Sequence, residues 1–105
     1  MPHNRYVDAE TLSQAMAIWT GWGSRSFPTR DDDAVVRAFG ATAGLDVLRR
    51  LKAYEAEFYT STAHTTAPDL ATMGEQAAAD FRRRQPDAPE AVVDALTWCY
   101  TFDWK

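Results

Sequence analysis

Along most of the chain, apolar residues recur at spacings of three and four, the period of an amphipathic helix. Leu12, Ala15, Met16 and Trp19 form the first such stripe. Asp8 stands where it can cap the leading N–H groups, Val7 and Leu12 occupy the two positions of a hydrophobic staple, and Gly21 follows where a left-handed C-cap belongs. A helix running to about Thr20 is predicted. The three aspartates 31 to 33 fall in the first turn of a second, short helix that ends at Gly40, with Thr29 three residues before Asp32. A third begins near Thr42 or Gly44 and carries Val47, Leu51, Tyr54 and Phe58 in one stripe with Leu45 and Leu48 beside it. Arg49, Arg50, Lys52, Glu55 and Glu57 then mostly face solvent.

The polar stretch "TSTAHTTAPD" leads into a fourth helix, with Thr66, Pro68 and Asp69 resembling a capped start with proline in the first turn. Its inner face is Leu70, Met73, Ala77 and Phe81, while Ala71, Gly74 and Ala78 are small enough to let a neighbouring helix approach closely. Arg82, Arg83 and Arg84 close it at the negative end of its dipole, and Gln85-Pro86 stops it. Asp87, Pro89 and Glu90 have the form of a capping box opening a fifth helix.

The C-terminal residues break the pattern. Leu96, Trp98, Tyr100, Phe102 and Trp104 alternate with Thr97, Cys99, Thr101 and Asp103 at the period of a strand. A lone strand cannot satisfy its backbone, and nothing else in the chain offers it a partner, so a helix with an irregular last turn is preferred. The alternative is a strand paired with its own copy across a dimer axis. With no internal repeat and no long linker, the fold class expected is all-α: one helical domain over residues 1–105, a compact bundle of about five short helices.

Composition adds bounds. Hydrophobic residues make up 46% and charged residues 25% of the 105, the balance of an ordinary globular chain. The net charge of −4 is concentrated at the C-terminal end, where Asp87, Glu90, Asp94 and Asp103 face only Lys105. This acidity argues against nucleic acid and anionic membranes as partners. One cysteine makes no internal disulfide, and neither a leader-type apolar segment nor a spanning-length one occurs, so a cytoplasmic location is expected. Nine arginines to two lysines, with abundant alanine, is the composition of a high-GC bacterial gene.

The densest chemistry lies in "WTGWGSRSFPTRDDD", residues 19 to 33. Read as a recognition loop, it offers Trp19, Trp22 and Phe27 as aromatic anchors and Arg25 and Arg30 as donors to a carboxylate or an acidic surface. Read as a turn, it folds its aromatics back over the core and caps the next helix with aspartate. The turn reading is favoured for Trp19 and Phe27, and the two balance for Trp22 and Arg25. Three consecutive aspartates on a helix diverge by about 100 degrees and do not converge on one metal ion. His3 and His64 lack a neighbouring ligand or acid at fixed spacing and read as surface histidines, and Cys99 as a small buried hydrophobe. Four large aromatics in the last eight residues exceed what one helix face easily buries, which marks Tyr100 and Trp104 as candidate contacts.

No Gly-rich phosphate loop, nucleophile elbow, metal motif or cofactor pattern occurs. The leading expectation is a small acidic interaction module, an adaptor, inhibitor or immunity- or antitoxin-like regulator. It would bind another protein or its own copy through Trp22, Arg25, Phe27, Arg30, Tyr100 and Trp104. A helical-bundle enzyme is the second reading, with Arg25 or Arg30 holding an anionic substrate and Glu55, Glu57 or His64 transferring protons. A DNA-binding regulator that reads with helices two and three is the third.

Overall fold

The structure is a computed structural model, which describes residues 7–105; His3 lies outside that range. Every regular element among the described residues is helical: α1 (Ala9–Thr20), α2 (Asp32–Phe39), α3 (Ala41–Phe58), the single turn α4 (Ala63–Thr66), α5 (Leu70–Arg84) and α6 (Glu90–Trp104). The all-α bundle expected from the periodicity is therefore the observed architecture. Neither the one-turn α4 nor the start of α3 at Ala41 follows from the sequence pattern.

Local chemistry sets most of the boundaries. Asp8 accepts from Thr11 N and Asp69 from Thr72 N at 2.8 and 2.7 Å, each satisfying a free donor of the first turn. Asp31 does the same for α2, accepting from Ala34 N at 3.0 Å. Gly21 ends α1 at φ +84°, returning its N–H to Ala17 O. The capping box expected at 87–90 does not form: Pro89 precedes α6 with no side-chain cap, and Glu90 reaches across to Arg82 instead. Proline at this position already fixes the backbone for helix entry, so a side-chain cap is dispensable.

Four helices close a ring around the core, because α1 packs on α3, α3 on α5, α5 on α6, and α6 back on α1. Inside it Trp19, Leu51, Phe58, Phe81, Leu96 and Tyr100 are essentially inaccessible to solvent. Phe58 is the hinge of the aromatic packing, with Phe81 and Tyr100 ring centroids 5.2 and 5.6 Å away. No buried side-chain nitrogen or oxygen among the described residues lacks a hydrogen-bond partner. Burying the inner faces supplies the stability that short helices cannot obtain from propensity alone.

The last segment is helical through Trp104, which removes the strand reading. The period-two alternation arises because α6 is contacted on several sides at once. Leu96, Cys99 and Tyr100 face the core, Trp98 meets the loop after α1, and Trp104 meets α4. Thr97 and Thr101 turn their hydroxyls onto the backbone oxygens of Val93 and Thr97, leaving their methyls against α5. There the chain has Gly74, where a Cβ would stand only 3.0 and 3.2 Å from those two methyl carbons. Glycine at this point is what lets α5 and α6 touch. Among the described residues no helix is long and apolar enough to cross a membrane.

Candidate interaction surface

The loop between α1 and α2 has a pinned base and a free tip. At the base, Thr29 N donates to Thr20 O, and Asp31 N and Thr29 Oγ1 both donate to Trp19 O, at 2.9 to 3.0 Å. The indole Nε1 of Trp19 donates to Asp32 at 2.8 Å, and Lys52 of α3 pairs with the other Asp32 oxygen at 2.9 Å. Asp32 is thus a bridge between α1 and α3, beyond its place in the first turn of α2. Its neighbour Asp31 is committed to the cap, so the aspartate run divides its duties.

Arg30 completes the base. Its Nε donates to Glu55 at 2.5 Å, Nη1 to Thr29 O at 3.0 Å and Nη2 to Tyr59 Oη at 3.3 Å, while the guanidinium lies 5.6 Å from the Trp19 ring centre. Tyr59 in turn donates to Asp103 at 2.5 Å. A chain of charged and polar groups therefore ties the loop to α3 and to the end of α6. Glu55, expected in solvent, is half-buried in this network. Its partner Arg30 stands 25 residues away, a contact that helical spacing does not encode.

A second cluster surrounds Tyr100. The hydroxyl donates to Ser61 O at 2.9 Å and accepts from His64 N at 3.2 Å, and His64 Nδ1 lies 2.9 Å from it. Because the hydroxyl hydrogen is committed to Ser61, Nδ1 is the donor in that last contact. His64 also stacks on Trp104, with ring centres 3.9 Å apart and planes at 15°. Tyr100 is fully buried, which corrects its assignment as a contact residue: its place is the core, holding α4 against α6. Trp104 remains 47% exposed.

The free surface begins at the loop tip. Trp22 is 39% and Phe27 54% exposed, and Trp22 rests on Trp98 of α6 with ring centres 5.4 Å apart. Arg25 folds its side chain back over Gly21, where an added Cβ would stand 2.6 Å from Arg25 Cδ, and no carboxylate among the described residues pairs with it. From this tip a groove of about 640 Å³ extends along the outer side of α5 and α6. Ser26 of the loop, Leu70, Gly74, Trp98, Thr101 and Phe102 line its apolar part. Leu70 and Phe102, 45% and 37% exposed, stand at its rim. The small residues of α5 are legible in the sequence but the groove is not, because Leu70 has the spacing of a core residue and Phe102 belongs to the aromatic tail.

Two titrating groups beside the loop base are shifted upward by burial. Burial pushes the Cys99 thiol up to about 11, against the nearby Arg30 charge, so the thiolate nucleophile is scarce at neutral pH. Burial first, then the hydrogen bond to Asp103, raises Tyr59 well above the ordinary phenol range. Among the described residues no group of three or more His, Cys, Asp or Glu side chains is placed to hold a metal ion.

Three aspartates are held below the ordinary carboxylate range: Asp8 and Asp69 by the backbone N–H groups of Thr11 and Thr72, and Asp32 by Lys52 and then Trp19. A carboxylate depressed in the folded state stabilises fully above its unfolded value, about 3.9, and that contribution is lost as pH falls further. Urea midpoints are therefore expected to drop below about pH 4. Asp69→Asn, whose amide oxygen still caps, should keep the stability at neutral pH and flatten the acid limb. An unchanged acid limb in Asp69→Asn and Asp32→Asn together would show that other carboxylates set it.

Of the six residues proposed as contacts, Trp22, Arg25, Phe27 and Trp104 lie on the surface, Arg30 is half-buried in the loop base, and Tyr100 is core. The loop tip and Trp98 meet at the groove, whereas Trp104 lies against His64. Of the groups considered for proton transfer, Glu55 binds Arg30 directly, and His64 is engaged with Tyr100 and Trp104. No protein-family model matches the chain, and no curated protein or solved structure matches it.

Proposed function

We propose that the protein is an interaction module that docks another protein on the surface formed by the α1–α2 loop tip and the α5–α6 groove. One observation carries this reading: Trp22 and Phe27 stay exposed on a loop whose base is tied by five hydrogen bonds to α1 and α3. Exposed aromatics on a rigid base lose little conformational freedom on binding, which is the property of an anchor. The continuity with Trp98, Leu70 and Phe102 extends the anchor into an apolar surface.

Native mass spectrometry of the protein gently purified from its own host tests the reading. A defined complex is expected, and Trp22→Ala should abolish it while shifting the unfolding midpoint little. A bare monomer, or a complex untouched by Trp22→Ala, overturns the assignment of this surface.

A further inference from the structure

The pair α1 and α3 is covered on a further side by α2, which packs on both. The groove between α5 and α6 has no such cover: it is lined only by those two helices, Ser26 and Lys105. Its apolar floor is flanked by one carboxylate from each wall, Glu75 of α5 and Asp94 of α6. Neither has a cation within ion-pair distance among the described residues. The cations of the groove are otherwise placed, Arg82 on Glu90 and Lys105 over the Phe102 ring at 4.4 Å.

From this arrangement we propose that the α5–α6 groove receives a helical segment of a partner protein, apolar along one face and carrying lysine or arginine where it passes Glu75 and Asp94. The inference rests on the interaction reading above and specifies the partner. Two antiparallel helices of 15 residues form walls about 22 Å long, which matches about four turns of a third helix. Ala71, Gly74 and Ala78 keep one wall low, so a partner's side chains can reach the floor. Ser26 and Phe102 also line the groove, and Trp22 adjoins it through Trp98. Glu75 and Asp94 are the two carboxylates of the lining left without an ion pair among the described residues, so a lysine or arginine passing them gains one.

The test uses the whole protein and three synthetic peptides of about 16 residues, one leucine-faced with central lysines, one with those lysines changed to glutamate, and one with the leucines changed to serine. Binding is followed by amide chemical shifts. The basic apolar peptide is expected to move Gly74, Thr97 and Thr101, and the other two peptides to leave them in place. Glu75→Lys combined with Asp94→Lys, both at exposed positions, should weaken the basic peptide about tenfold and admit the acidic one. Equal binding of basic and acidic peptides, shifts centred elsewhere, self-association through the same amides, or no binding overturns the proposal. A host complex that is lost in Trp22→Ala but persists in the double charge reversal leaves the interaction reading standing and removes the basic helix.

Discussion

Trp19→Ala is expected to cost about 3–5 kcal/mol, a large share of the stability of a chain of this size. The indole is 1% exposed inside the four-helix ring, so its removal leaves a cavity that the flanking Met16 and Leu12 turns cannot fill. It also frees Asp32 from one of its two partners and takes the ring from beneath Arg30. Trp19→Phe separates the contributions: most of the apolar burial stays, while the hydrogen bond to Asp32 is lost, and a cost of about 1–2 kcal/mol is expected. Trp22→Ala, three residues on, should cost clearly less, since its side chain is 39% exposed at the loop tip and its ring packs on Trp98 rather than in the four-helix core. Urea unfolding followed by far-ultraviolet circular dichroism checks the order. Equal losses for Trp19→Ala and Trp22→Ala would mean that the loop tip is as much a part of the core as its base.

The contrast between these two tryptophans shows how far the sequence is legible. Periodicity locates Trp19 on the inner stripe of α1, and helix signals locate Gly21, Asp69 and the ends of α5, because those signals depend on neighbours within a turn. The site depends on contacts between residues far apart in the chain. Arg30 finds Glu55, Tyr59 finds Asp103 across 44 positions, and Asp32 finds both Trp19 and Lys52. Nothing local distinguishes Glu55, which meets Arg30, from Glu75, which meets no cation among the described residues. The strand-like ending misleads for a related reason: a helix contacted on several sides is apolar nearly all round, and its threonines hide their hydroxyls in their own backbone. The aromatic excess in that segment is divided between core and surface. It is satisfied for Tyr100 inside the molecule, and left open at Phe102 and Trp104.

Tyr100 carries the second large expectation. Tyr100→Ala should cost about 3–5 kcal/mol, because the ring fills the space between Phe58, Tyr59 and His64. Tyr100→Phe keeps that packing and removes only the hydroxyl, yet a loss of about 1–3 kcal/mol is expected, since the Ser61 carbonyl is left without its donor and both His64 contacts lose their acceptor. The loss should be accompanied by loosening of α4, because the same hydroxyl joins Ser61, just before that single turn, and His64 within it to α6. The stack of His64 on Trp104 gives a local readout: Trp104 emission should change in Tyr100→Phe even under conditions where the chain stays folded. If Tyr100→Phe is neutral and Trp104 emission unchanged, the Ser61 carbonyl has another donor and α4 is held by its contacts with α5 and the His64–Trp104 stack. If Tyr100→Ala folds with nearly full stability but loses a host partner, the residue belongs to the interface after all, and the aromatic end of α6 displaces the α5–α6 groove as the docking surface.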